Sequence, residues 1–187
     1  MDAKFWNTAW EEGRTGFHQE KFHEKLLQYF PELSPKKGQR ICVPLCGKTW
    51  DMIWLHEQGL LVNGIELHLP AIESFFKEHP DVSAEEIVIT CSDFFLVEEK
   101  NHYDFVYDRA ALVALPESKR KDYAAKISQI LKPHGKYFLI SFEHEGKSGP
   151  PFSATEANIR ALYENSFLIT VLESRKEQSV YVLEKKA

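Results

Sequence analysis

Four places in this 187-residue chain put polar or charged side chains where an apolar run stops: Pro44-Leu45-Cys46-Gly47, Glu66, Ser92-Asp93 and Asp108-Arg109. Glu66 stands about 20 residues beyond the first of these turns, the spacing at which an acid in a nucleotide-binding α/β sheet accepts both ribose hydroxyls. The same residue also reads as a surface acid at a strand end. Asp93 is suited to receive the exocyclic amine of an adenine, or else is ordinary loop chemistry. Asp108-Arg109 stand before the apolar run Ala110-Ala111-Leu112-Val113-Ala114-Leu115. A charged pair so placed has to be neutralised as a structural ion pair or put to use in a site. Glu143 and His144 follow a fifth run, either lining an acceptor side or sitting in a solvated loop.

Other chemistries fit poorly. A phosphate-binding loop needs G-x-x-x-x-G-K-[ST], and Gly47-Lys48-Thr49 supplies its tail, but the first glycine position is Cys42, inside the strand. A dinucleotide turn needs several glycines where this one has a single glycine. Such a turn suits a ligand without phosphates, whose amino acid and ribose portions need little backbone clearance. Cys42 and Cys46 are too close in one strand-turn to clasp a metal, and no histidine pair completes a set, so no metal is expected. G-x-S-x-G and H-E-x-x-H are absent. Cys46 is a candidate nucleophile, but its apolar neighbours favour an inert thiol.

The elements that position these residues alternate. Residues 19–30 place Phe22, Leu26, Leu27 and Phe30 on one helical face, and Pro31 and Pro35 then break the chain. Residues 40–45 read as a buried strand, 49–58 as a helix stopped by Gly59, 61–67 as a second strand and 70–79 as a helix. Strands follow at 87–91 and 103–107. A helix opens at Pro116 and ends at Lys132-Pro133-His134-Gly135, and a fifth strand covers 137–142. Ser153 and Glu156 form a capping box for a helix reaching about Asn165, and 167–172 with 179–183 close the chain as an antiparallel hairpin. Alternation of this kind predicts an α/β fold with a mostly parallel, helix-covered sheet, whose ligands bind beyond the carboxyl ends of the strands.

Composition narrows the class. The chain is 43% hydrophobic and 27% charged with a net charge of -5. Its basic residues are scattered, which excludes an electrostatic footprint for nucleic acid. Lys36-Lys37 and Lys119-Arg120-Lys121 read as solvated turn and helix surface. Three cysteines, an odd count, argue for reduced thiols and a cytoplasmic setting. The start, Met1-Asp2-Ala3-Lys4-Phe5-Trp6, has no basic-then-apolar segment, and no apolar run reaches membrane-spanning length. With no repeat or linker, residues 1–187 are expected to form a single domain, and a monomer. Thirteen Phe, seven Tyr and four Trp are many, and several crowd the N-terminus where core packing is not their obvious use.

In order along the chain, several stretches carry a resemblance. They are Phe5-Trp6 through Trp10, Gly16-Phe17-His18-Gln19, Val43-Pro44-Leu45-Cys46-Gly47-Lys48 through Asp51-Met52, and Gly64-Ile65-Glu66-Leu67. Cys91-Ser92-Asp93-Phe94-Phe95, Asp108-Arg109 with the apolar run to Pro116, Gly149-Pro150-Pro151-Phe152-Ser153 and Val180-Tyr181-Val182-Leu183-Glu184 complete the set. Together these resemble the thiopurine S-methyltransferases, a detoxifying family. The resemblance implies a Rossmann-like class I methyltransferase fold of seven strands with S-adenosyl-L-methionine as cofactor. By position, Trp10, Leu45, Glu66 and Arg109 match the family's cofactor contacts, and Ser92-Asp93 match the adenine side. Trp6 and Phe17 match an N-terminal segment that covers the cofactor and touches the acceptor, which makes 1–30 a lid segment and helix. Phe152 is expected beside Trp6 and Phe17 as an acceptor wall. Two departures stand out: the connections at 77–85 and 173–178 are shorter than the family's, and those segments help enclose the acceptor.

The expectation is methyl transfer to a small, soft nucleophile, foremost a thiol, with Arg109 as the catalytic residue favouring the thiolate. Two other readings compete. One is a methyltransferase for halide, selenium, tellurium or arsenic species, which needs the same cofactor site and a smaller acceptor pocket. The other is a catalytically silent S-adenosylmethionine-binding protein, which the intact Trp10, Glu66, Asp93 and Arg109 set opposes.

Overall fold

The structure, a computed structural model, describes residues 3–145, 149–175 and 177–187. The chain divides into two compact units, Met1–Val97 and Glu98–Ala187.

The first unit runs α1 (Ala3–Glu11), α2 (Glu24–Tyr29) with a 3-10 turn over Phe30–Leu33, β1 (Arg40–Pro44), α3 (Asp51–Glu57), β2 (Leu61–Glu66), α4 (Leu69–Glu78) and β3 (Ile87–Cys91). Its strands lie in the order β3-β2-β1, all parallel. Ile41, Cys42 and Val43 of β1 are buried, as an unbroken apolar run between helical layers requires. Pro44 is level with Ile65 and Glu66 with Cys91, so the three carboxyl ends finish side by side. Gly59, at φ +81, ends the turn after α3 in a conformation that side chains resist. Residues 19–30 are helical only from Glu24. His23 is extended, donates its backbone N–H to Asp51 Oδ1 at 2.7 Å and caps the helix through its ring, so a long-range bond takes the place of the first helical turn. Helix α1 did not show in the sequence pattern, where its aromatics read as lid rather than as an amphipathic face.

The second unit runs β4 (Tyr103–Arg109), α5 (Ala111–Ala114), α6 (Glu117–Ile130), β5 (Leu131–Phe142), α7 (Glu156–Tyr163), β6 (Phe167–Ser174) and β7 (Gln178–Lys185). Here β4 pairs parallel with β5, and β7 pairs antiparallel with both β5 and β6, giving the closing hairpin in the order β5-β7-β6. Three expectations change. The box that starts α7 is built by Thr155 and Asn158, not Ser153 and Glu156; the Ser153 hydroxyl instead accepts the His144 N–H at 3.1 Å. Strand β5 begins at Leu131, directly after α6, because Leu131 pairs with Tyr103 before the register shifts and the ladder resumes at Phe105–Lys136. Arg120, read as solvated surface, is only 4% exposed, since it shares the inward face of α6 with Tyr123, Ala124, Ile127 and Ile130. Lys176, inside the short 173–178 connection, lies outside the described residues.

Candidate active site

In the first unit the turn after β1 is built from two left-handed residues, Leu45 at φ 48 and Gly47 at φ 53. A non-glycine residue in that region costs about 1–2 kcal/mol, a strain that clusters at functional sites. The turn is pinned by Cys46 N–H donating to the Ile65 carbonyl at 3.1 Å. It thereby delivers the Gly47 N–H to Glu66 Oε2 at 2.7 Å, while the His68 N–H reaches Oε1 at 2.8 Å. Glu66 is 8% exposed, which removes the surface-acid reading. Burial raises its pKa; the backbone N–H groups of His68, Gly47 and Leu67 act the other way, holding the carboxylate form. A carboxylate offers about four acceptor sites, so Glu66 keeps acceptor capacity beyond its backbone donors. A buried acceptor at a strand end suits a hydroxyl-bearing ligand such as a ribose.

Beside it, the Ser92 N–H donates to the Glu66 carbonyl at 2.9 Å, which carries the chain from β3 past the same corner. Asp93 Oδ1 accepts the Phe95 N–H at 2.9 Å and so caps the 3-10 turn over Phe94–Leu96. Among the described residues Oδ2 accepts no such bond. Leu45, Glu66, Ser92 and Asp93 are thus brought together at the ends of three adjacent strands.

Helix α1 brings the aromatics to that corner. Trp6 and Trp10 both pack edge-on to Phe17, at 5.8 and 5.5 Å between ring centroids. The Trp10 ring lies nearly parallel to His68, 5.9 Å away, and a Cβ on Gly47 would stand 3.0 Å from it. Asn7 Oδ1 lies 3.0 Å from His68 Nδ1. Asn7 and His68 were not singled out from sequence; their one signal is that Asn7 lies three residues before Trp10, on the same helical face, which only the helix reveals.

In the second unit an ion pair with Arg109, one of the two readings of Asp108-Arg109, is not what neutralises Asp108. The fully buried carboxylate accepts the hydroxyls of Tyr123 and Tyr137, both at 2.7 Å, and the N–H groups of Ala111 and Leu112. Burial raises the Asp108 pKa, and these four donors oppose it. Together they fix the turn through Ala110, at φ 77, that leads out of β4 directly after Arg109. Phe152 is joined to the same region: its N–H donates to the Val113 carbonyl of α5 at 2.6 Å. His144 is tied to the same loop, its ring nitrogen 2.6 Å from the Pro151 carbonyl. Cys46 is buried; desolvation first, then the Glu66 carboxylate and Cys42, push its thiol well above the ordinary range, so it stays a neutral, inert thiol.

The thiopurine S-methyltransferase family matches residues 1–187. A thiopurine S-methyltransferase of Vibrio cholerae is 41% identical over 177 residues, covering 87% of this chain and 81% of that protein. One from Photobacterium profundum is 35% identical over 193 residues, covering 96% and 90%. Among solved structures, magnesium protoporphyrin IX methyltransferase from Synechocystis with bound S-adenosylmethionine superposes with a TM-score of 0.75 at 16% identity, covering 98% of this chain and 94% of that one. A Burkholderia thailandensis 1,6-didemethyltoxoflavin-N1-methyltransferase with bound S-adenosylhomocysteine gives 0.75 at 15%, covering 98% and 87%. These likenesses establish the fold: a seven-stranded, mostly parallel sheet with helices and an antiparallel closing pair.

Proposed function

Because this chain belongs to the thiopurine S-methyltransferase family, we propose a division of labour among its residues as an S-adenosylmethionine-dependent S-methyltransferase, with residues 1–187 acting as one domain. The observation that carries the proposal is Glu66, buried and oriented by backbone N–H groups, with carboxylate acceptor sites left beyond them. Those sites take the two ribose hydroxyls; Asp93, with Ser92, takes the adenine amine; the Leu45 turn and Trp10 hold the amino acid portion. The cofactor, when bound, supplies a methyl group on a positively charged sulfur. Trp6, Trp10 and Phe17 form an apolar cover that excludes water and presents ring faces to a cation. Arg109 is the residue we assign to the acceptor, favouring its ionised form by its fixed positive charge. Sulfur is a strong nucleophile once ionised, so alignment and dehydration supply much of the acceleration and no strong protein base is required.

The acceptor we infer is a small thiol, with Phe152 among its walls. Short connections at 77–85 and 173–178 support a small acceptor, and they also keep the inorganic-anion reading in play as an arm of the test. Among the described residues no disulfide joins Cys42, Cys46 or Cys91, and no helix is long and apolar enough to cross a membrane. Cysteines outside any disulfide support a reducing, cytoplasmic setting, where a monomeric enzyme would methylate thiols in detoxification.

Thermal melting tests the cofactor assignment. A ligand bound only by the native state stabilises it by mass action, so S-adenosylhomocysteine should raise Tm while NADH and ATP leave it unchanged. A shift with NADH and none with S-adenosylhomocysteine would overturn the assignment.

A further inference from the structure

Arg120 is the one residue of its basic run that does not meet solvent. Its guanidinium lies inside the second unit and donates to three main-chain carbonyls: Nε to Leu115 at 3.2 Å, one terminal nitrogen to Ser153 at 3.0 Å, and the other to Phe152 at 3.4 Å. A guanidinium is a planar fork of donors, so one side chain spans three acceptors that a lysine could not hold together. Leu115 closes α5, and Phe152 and Ser153 belong to the segment that carries the candidate acceptor wall.

The rest of that segment is tied down as closely. The Phe152 N–H donates to the Val113 carbonyl at 2.6 Å, and the Ala154 N–H to the Phe142 carbonyl at 2.8 Å. Ser141 Oγ donates to the Ala154 carbonyl at 2.8 Å, and Ser153 Oγ accepts the His144 N–H. Every residue from 152 to 154 is therefore bonded to a neighbouring element, and Arg120 alone holds two consecutive carbonyls of it. Phe152 is only partly buried, so its backbone is fixed while the residue keeps access to a ligand.

We propose that Arg120 is a positioning residue for acceptor selectivity: by strapping the Phe152 and Ser153 carbonyls to the end of α5, it makes Phe152 a rigid wall rather than a loop side chain. The proposal rests on the methyltransferase reading, because it takes Phe152 to face the acceptor. A rigid wall matters most to a planar, bulky acceptor, which needs several contacts to be held in line, and least to a small anion. Arg120 touches neither cofactor nor acceptor in this account; it acts through Phe152.

The test uses Arg120→Lys, Phe152→Leu and the double variant. For each, kcat/KM is measured with thiophenol and with hydrosulfide, and the S-adenosylhomocysteine Kd by calorimetry. Arg120→Lys should lower the thiophenol-to-hydrosulfide ratio by about tenfold with the S-adenosylhomocysteine Kd within about twofold, and in the Phe152→Leu background the same change should shift the ratio no further. An unchanged ratio, or two shifts that simply multiply, would overturn the proposal, since a general structural role predicts parallel losses with both acceptors. Should Arg120→Lys not fold, amide exchange of the parent protein decides: Phe152 and Ala154 should exchange as slowly as the strand β5 amides, and rapid exchange there would contradict a rigid wall. Failure of the parent protein to methylate either acceptor would sink the methyltransferase reading instead, and exchange at Phe152 in the parent and in Arg120→Lys would still decide whether the strap exists.

Discussion

Glu66 holds the turn after β1 through Gly47 and the start of α4 through His68, and is the residue proposed to take the ribose hydroxyls. Glu66→Ala should therefore show two separate losses. Cofactor affinity should fall by about 1.5–3 kcal/mol, the scale of hydrogen bonds to a charged group. The ligand-free protein should melt lower as well, because two buried N–H groups lose their acceptor; a side chain on the surface would produce neither effect. Calorimetry and thermal melting read the two independently. The raised pKa of Glu66 adds a pH signature. The native state binds this proton more tightly than the unfolded chain does, so its contribution to stability declines as pH climbs from the ordinary glutamate range to the raised value, and is level above it. Cofactor affinity runs the opposite way, since both ribose bonds need the ionised form: titration from pH 8 downward should show weakening that begins above the ordinary glutamate range. At Arg109 the expectation is a split. Arg109→Lys should reduce kcat more than it raises the S-adenosylhomocysteine Kd, because a compact ammonium cannot reproduce the planar fork. Equal losses in both would reassign Arg109 to cofactor binding alone.

At the scale of elements, the turn from β4 into α5 depends on one buried carboxylate. Tyr137→Phe removes one of the two hydroxyls that Asp108 accepts while keeping the ring. It should destabilise the fold by about 1.5–3 kcal/mol, measured by denaturant unfolding, with the S-adenosylhomocysteine Kd unchanged. A neutral result would mean that the backbone N–H groups of Ala111 and Leu112 suffice. The strands and their order of appearance were legible because buried parallel strands leave apolar runs, and the corner of Leu45, Glu66 and Ser92-Asp93 was legible because strand ends carry ligands in such sheets. The Asp108 network was not. Tyr123 and Tyr137 are 15 and 29 residues away in sequence, and no local pattern marks a tyrosine whose hydroxyl points at a carboxylate. Arg120 was misread for a related reason: Lys119-Arg120-Lys121 looks uniformly charged, yet helical geometry turns only the middle residue inward. The capping box shifted by two residues because Ser153 had a competing long-range partner in His144. In each case local propensity was overridden by a contact distant in sequence.

At the scale of the whole molecule, the strand-end corner proposed to hold the cofactor is combined with two connections, 77–85 and 173–178, shorter than the resemblance leads one to expect. Fewer walls leave fewer contacts to hold a bulky acceptor in line, whereas a small nucleophile needs few. Small thiols should accordingly show higher kcat/KM than thiopurines. The central claim, that this chain moves a methyl group from S-adenosylmethionine to sulfur, is tested most directly by one measurement. The protein is incubated with methyl-labelled S-adenosylmethionine and a panel of small thiols, 6-mercaptopurine, iodide and arsenite, and the products are identified by mass spectrometry. Labelled methyl thioethers should form in equal amount with S-adenosylhomocysteine, fastest with the small thiols. Label on iodide or arsenic and on no sulfur, or no labelled product at all, would contradict it.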